Sequence, residues 1–104
     1  HLAVHKDRGL FVSFRGALAI DQPKKINQSF ENPCTNCPAP CLTACPVDAF
    51  NGAGYDVVKC KDHINDLDSS SCKNFGCNTR RACPVGANLR KSEQSSFHME
   101  NFLR

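Results

Sequence analysis

Eight cysteines arranged in two groups of four constrain this chain more than any other feature of its sequence. The first group lies within 34–47, CTNCPAPCLTACPV, where prolines separate the thiols. The second group is more widely spaced, yet it closes with Ala-Cys-Pro-Val, the same four residues that close the first. This duplicated ending predicts two equivalent sites. The two groups are Cys34, Cys37, Cys41 and Cys45, followed by Cys60, Cys72, Cys77 and Cys83.

The remaining composition indicates a small domain that needs cross-links or bound metal to fold. A chain of 104 residues is expected to form one domain with a limited core. The hydrophobic fraction of 40% includes the eight cysteines, and six glycines with six prolines favour loops over long regular elements. The cysteines are therefore the expected source of additional stability.

Disulfides and zinc are two explanations that the spacing disfavours without excluding them. Disulfides suit small extracellular chains, but no secretory signal is visible and the Cys-Pro repeat has no role in a disulfide framework. Zinc usually takes two close pairs of ligands separated by a longer stretch, whereas the first group is spread almost evenly. The four histidines stand outside any paired spacing, and His63 is expected to face solvent.

Iron–sulfur clusters explain more of the pattern. Three cysteines on one tight loop can reach three iron atoms of a cubane, and Pro46 then holds Cys45 extended, with its thiolate directed toward a second cluster. Two-cluster bacterial ferredoxins use such a Cys-Pro ending for the other cluster. The sequence therefore predicts two [4Fe-4S] clusters with crossed ligands. Cluster 1 takes Cys34, Cys37, Cys41 and Cys83, and cluster 2 takes Cys45, Cys60, Cys72 and Cys77.

The segment CTNCPAPCLTACP resembles the motif of bacterial two-[4Fe-4S] ferredoxins, except that three residues instead of two separate Cys37 from Cys41. The second group, with Cys60 alone and then CKNFGCNTRRACP, is similar to the ferredoxin-like domain of epoxyqueuosine reductase and related corrinoid reductases. The flanks HKDRGLFVSFRGAL and FHMENFLR are similar to those of longer bacterial ferredoxin-like proteins. This resemblance implies an α+β fold, a small ferredoxin-like domain with pseudo-two-fold symmetry around two clusters.

Three regions are expected along the chain. Residues 1–33 hold a strand at 10–20, whose apolar residues alternate, and a polar connector. Residues 34–87 form the two-cluster domain, including a helix capped by Asp56 with an apolar stripe of Val57, Cys60, Ile64 and Leu67. Residues 88–104 form a tail whose segment 97–103 packs on the domain as a short helix. The whole is expected to be a fragment of a longer chain.

The charge pattern favours neither nucleic acid nor membrane as a partner. The net charge is +3, but Lys24-Lys25 and Arg80-Arg81 are short pairs without interleaved aromatic residues. No apolar run is long enough to cross a bilayer. Two thiolate-bound clusters would take the formal charge to about −1, and Arg80 and Arg81 would then partly neutralise them or remain a solvated pair.

The expected function is transfer of single electrons at low potential by an iron–sulfur protein of the reducing cytoplasm. The sequence has no paired-carboxylate, Ser/His/Asp or phosphate-loop constellation, so the chain is not expected to be an enzyme by itself. The partner is then a redox protein or a companion domain outside these residues. The alternatives are a cluster-bearing fragment of a larger reductase and clusters with a purely structural role.

Overall fold

The computed structural model describes residues 2–25, 29–52, 54–66 and 70–103. Within them, two short antiparallel strands pair Phe50 with Tyr55 and Asn51 with Gly54. Four helices follow the strands, and single 3₁₀ turns lie at Pro40–Leu42 and Ala87–Leu89. The elements are β1 (Phe50–Asn51), β2 (Gly54–Tyr55), α1 (Val57–Asn65), α2 (Ser70–Phe75), α3 (Asn78–Ala82) and α4 (Ser92–Leu103).

Helix α1 begins where the sequence predicts. The Asp56 side chain accepts a hydrogen bond from the Lys59 backbone N–H at 3.0 Å, which satisfies one of the unpaired donors of the first turn. Of the predicted apolar stripe, Ile64 is fully buried and Cys60 is half-buried, but Val57 is 41% exposed. Leu67 lies outside the described residues. The stripe therefore packs at its C-terminal end, close to the second cysteine group.

The buried core lies between α1, α2 and α4. It consists of Ile64, Cys72 and Met99, with Cys60, Cys77 and Phe102 packed against it. Gly76 has φ 90° and lies so close to α4 that an added Cβ would fall 2.5 Å from the Ser95 Cβ. Half of the side chains of this core are therefore cysteines, which leaves little apolar surface to stabilise the domain.

The predicted C-terminal helix is confirmed and is longer than expected. It starts at Ser92, well before residue 97, and runs to Leu103. Met99, only 5% exposed, makes the main contact with the core, whereas Phe97 is 61% exposed. The sequence analysis was right about the helix and wrong about Phe97 as a packing residue.

The predicted strand at 10–20 is wrong, because residues 11–20 form no strand in the structure. Leu10 is buried, but Phe14, Leu18 and Ile20 are 78%, 95% and 65% exposed. The apolar alternation is present in the sequence, yet no other described segment pairs with this one. Since a strand needs a hydrogen-bonded neighbour, alternation alone was not sufficient.

Just before this segment, residues 5–9 form a tight turn that packs against Cys83 and Val85 of the second Cys-Pro sequence. The backbones of His5 and Gly9 exchange hydrogen bonds of 2.8 and 2.9 Å. Gly9, at φ 56°, lies so close to Cys83 that an added Cβ would be 2.5 Å from its sulfur. The turn thereby covers Cys83, which is 8% exposed.

None of the helices in the described part of the chain is both long and apolar enough to cross a bilayer. The four helices and the two-stranded sheet do not test the ferredoxin-like fold, which therefore stays a prediction.

Candidate metal centre

All eight cysteines are free thiols, so none of them is in a disulfide. Cys72 and Cys83 are buried, Cys34 is exposed, and the others are half-buried. Eight unpaired thiols in a chain of this size weigh against a disulfide framework.

The first set of neighbours is centred on Cys41. Burial raises the pKa of the Cys41 thiol, and the charges of Cys83, Cys34 and Cys37 raise it further. A hydrogen bond from the backbone at Cys41 opposes this shift. Cys83 belongs to the other half of the chain, and it comes close because α3 packs against the 3₁₀ turn Pro40–Leu42. The loop from 34 to 41 and the end of α3 thus bring four cysteines together.

The second set of neighbours is centred on Cys60. Burial raises the pKa of the Cys60 thiol, and the charges of Cys77, Cys45 and Cys72 raise it further. The Tyr55 hydroxyl donates a hydrogen bond to the Cys60 sulfur and opposes the shift. Cys72 has a pKa raised by burial and by the charges of Cys77 and Cys45. This set again combines a cysteine of the first group with three of the second.

A cavity connects the second set. All four of its cysteines line this cavity, together with Ile64 and Met99 of the core. Thr79 also lines it, is 2% exposed, and has a hydroxyl without a hydrogen-bond partner among the described residues. A buried hydroxyl without a partner is costly, so this hydroxyl is suited to a hydrogen bond with a group bound in the cavity, either a water molecule or a cluster sulfur.

The expectation for His63 was wrong. The residue is half-buried and lines the cavity of the second cysteine set, whereas the sequence analysis placed it toward solvent. Position 63 is one turn after Cys60 on α1, and a side chain at that spacing shares the face of the cysteine. This spacing was the available signal for His63. Thr79 and Tyr55 gave no such signal, since only the fold brings them to the cysteines.

The two Cys-Pro turns have similar backbones. Cys83 ends α3 in an extended conformation, φ −65° and ψ 122°, as expected for a residue before proline. Three residues after Cys45, Asp48 has φ 50°, and three residues after Cys83, Gly86 has φ 68°. Positive φ at both equivalent positions shows that the sequence repeat is also a local structural repeat.

Backbone donors are directed at sulfur in the first group. The Ala39 N–H donates to Cys37 Sγ at 3.4 Å, and the Ala49 N–H donates to Cys45 Sγ at 3.3 Å. The left-handed conformation of Ala39, φ 52°, shapes the loop that presents the first of these donors. Such bonds direct the positive end of a backbone dipole at each of the two sulfur atoms.

Two arginines support the second Cys-Pro turn. Arg81 lowers the pKa of Cys72 against the effect of burial, and its guanidinium donates to the Gly76 carbonyl at 3.0 Å. Arg90 donates to the carbonyl of Cys83 and, at 3.0 Å, to that of Arg80. Arg81 is therefore a cation held close to Cys72, and its role in neutralising a cluster stays a prediction.

No three His, Cys, Asp or Glu side chains of the described residues converge as ligands of a single metal ion. A tetrahedral zinc site requires its ligands to meet at one ion. In a cubane each thiolate binds its own iron atom, so four neighbouring cysteines need not converge on one point.

The comparison with known proteins gives one similarity. The chain is 27% identical to the epoxyqueuosine reductase of Vibrio cholerae serotype O1 over 114 aligned positions, which cover 98% of this chain and 30% of the reductase. The chain is related to a segment of that reductase. It spans less than a third of the relative's length. No protein-family model and no solved structure matches the chain.

Proposed function

We propose that this chain binds two iron–sulfur clusters and forms the cluster-bearing part of a longer reductase. The observation that carries the proposal is the division of the cysteines into two sets, each drawing on both sequence groups. The 27% identity to a segment of an epoxyqueuosine reductase favours a reductase fragment over an independent electron carrier.

The proposed ligands are the crossed sets predicted from the sequence. Cluster 1 is held by Cys34, Cys37, Cys41 and Cys83, and cluster 2 by Cys45, Cys60, Cys72 and Cys77. A [4Fe-4S] cluster supplies one-electron chemistry when it is bound. The unpartnered Thr79 hydroxyl and the N–H groups directed at Cys37 and Cys45 are suited to a sulfur-rich anion.

The chain's own residues would control the environment of this chemistry. Ile64 and Met99 form an apolar wall of the cavity lined by the second cysteine set, and the Tyr55 hydroxyl stabilises the thiolate of Cys60. Arg81 partly neutralises Cys72. Burial among thiolates lowers a cluster's reduction potential, whereas cations and hydrogen bonds to sulfur raise it.

The reaction itself is proposed to occur outside these 104 residues. The relative is an enzyme, and this chain corresponds to 30% of it. In this proposal the chain carries single electrons to a companion domain, in a ferredoxin-like fold, and is not catalytic by itself. Clusters that only stabilise the fold are the second possibility, which the small core favours.

Anaerobic purification followed by analysis tests the proposal. The protein should contain about eight iron and eight acid-labile sulfide per chain. Titration with a strong reductant should produce S = 1/2 signals in electron paramagnetic resonance spectra. Stoichiometric zinc without sulfide would refute cluster binding. Clusters that no reductant can reduce would leave the structural role alone.

A further inference from the structure

A second, larger cavity lies on the other side of Cys77. Its volume is about 700 Å³, and its walls come from segment 11–15, from Gly76, Cys77 and Arg80, and from helix α4. Cavities of about 300 to 1,000 Å³ are typical of sites for small organic molecules. The segment 11–15 forms no strand, and all five of its residues line this cavity. We therefore interpret the segment as a wall of a binding site.

The charged groups of the cavity are mostly cationic. Arg15 and Arg80 line it together with His98, and Glu93 is the one carboxylate among the described lining residues. Neither arginine forms an ion pair within the described part of the chain. Burial lowers the pKa of His98, and the charges of Arg80 and Arg15, which line the same cavity, lower it further. The Arg80 guanidinium donates one hydrogen bond to the Val12 carbonyl at 3.3 Å and keeps its other donors for a ligand. Two guanidinium groups without an ionic partner in the described residues attract an anion to the cavity.

Aromatic rings form the apolar part of the cavity. Four of the seven phenylalanines of the chain line it: Phe11, Phe14, Phe97 and Phe102. Phe11 and Phe102 are already in contact with cations, since the Arg90 guanidinium lies 5.5 Å from the first ring and the Lys61 ammonium 5.6 Å from the second. Phe14 and Phe97 come from two different walls and are 78% and 61% exposed, which leaves both rings available to a ligand.

We propose that this cavity binds a small organic anion with an aromatic ring system, whose acidic group contacts Arg15 and Arg80 and whose ring packs on Phe14 and Phe97. Cys77 lines both this cavity and that of the second cysteine set. If the proposed function holds, the ligand therefore lies next to a cluster ligand. Binding itself needs only the cations and the rings.

Calorimetric titration of the anaerobic, cluster-loaded protein tests this inference with three probes. Flavin mononucleotide carries both the ring and the phosphate, riboflavin the ring alone, and inorganic phosphate the charge alone. We expect one flavin mononucleotide per chain, with riboflavin and phosphate each binding at least about tenfold more weakly, since a charge-assisted contact is worth about 1.4 kcal/mol or more. Equal binding of riboflavin, or no saturable binding of flavin mononucleotide, would overturn the proposal.

Matched variants locate the site. Arg15→Gln should weaken flavin mononucleotide about tenfold and leave riboflavin unchanged, whereas Arg8→Gln removes an exposed arginine outside the cavity and should change neither. Phe97→Leu should weaken both flavins, and Phe30→Leu should weaken neither. Equal losses in a variant and its control would refute this location. Iron and sulfide measured on the same samples test the proposed function separately.

Discussion

The thiols of Cys41 and Cys83 interact electrostatically, although the two residues belong to different cysteine groups. Cys83 is the first of the charges that raise the pKa of Cys41 after burial, ahead of Cys34 and Cys37 from the same loop. The contact of α3 with the 3₁₀ turn Pro40–Leu42 holds the two segments together. This interaction between the two halves of the chain is the structural basis for proposing crossed ligands.

The turn at Gly9 should be required for a stable first site. In Gly9→Ala, the new Cβ would lie 2.5 Å from Cys83 Sγ and 2.6 Å from the Val85 carbonyl oxygen, at a φ of 56°. We expect a loss of about 1–3 kcal/mol in unfolding free energy and faster loss of one cluster's absorbance in air.

Gly16→Ala is the matched control, because no atom lies within 4 Å of the Cβ position there and its φ is not in the left-handed region. This variant should be neutral or slightly stabilising. If both variants retained their clusters equally well, the contact between Gly9 and Cys83 would have no role in the site.

The Tyr55 hydroxyl should tune one cluster only. Tyr55→Phe removes the hydrogen bond to Cys60 and keeps the ring that stacks on Phe50 at 4.5 Å. Because such a bond favours the more negative, reduced form, its loss should lower one reduction potential by roughly tens of millivolts. Redox titration monitored by electron paramagnetic resonance measures both potentials. A shift of both potentials, or of neither, would contradict the assignment of Tyr55 to the second site.

Replacing Thr79 should change the stability of the protein in a direction that depends on whether a cluster occupies the cavity of the second cysteine set. Thr79→Val has nearly the same shape and removes a buried hydroxyl that has no partner in the described residues. Without an occupant the change should stabilise the protein, since it removes an unsatisfied group worth about 1–3 kcal/mol. With a cluster that accepts the hydrogen bond, the cluster-loaded variant should be less stable than the wild type. Thermal unfolding of cluster-loaded protein distinguishes the two outcomes.

Much of the candidate site could be predicted from the sequence, because its main features depend on the spacing of residues that are close together in the chain. The eight cysteines, the Cys-Pro repeat and the Asp56 cap all depend on residues close to one another in the chain. The crossed division of ligands stays a prediction, and it too rests on a local argument, the restriction that proline places on the residue before it.

The remainder depends on contacts between distant segments. Residues 10–20 have the alternation of a strand, but strand formation requires a partner that the sequence does not specify. Tyr55 of β2 and Thr79 of α3 reach the cysteines only through the fold, whereas His63 is on the same helix as Cys60, one turn later. The larger of the two cavities lined by Cys77 likewise depends on helix α4 and on segment 11–15, which has no regular structure.

Cluster removal should unfold most of the domain. Three of the six side chains of the core are cysteines, so the apolar surface that remains is small. Protein stripped of iron by chelation should lose most of its near-ultraviolet circular dichroism and become protease-sensitive from about residue 30 onward. No strand at 10–20 is expected to survive, because the intact chain has none there. An iron-free form that unfolds as cooperatively as the loaded one would show that the core is sufficient by itself.

Iron content in two double variants tests the crossed arrangement most directly. Cys41→Ala with Cys83→Ala removes two ligands from one proposed cluster and should leave about four iron per chain. Cys41→Ala with Cys45→Ala removes one ligand from each cluster and should leave little iron. The expected result is therefore one surviving cluster in the first variant and none in the second. The reverse, with one cluster surviving when Cys41 and Cys45 are replaced and none when Cys41 and Cys83 are replaced, would contradict the crossed ligand sets.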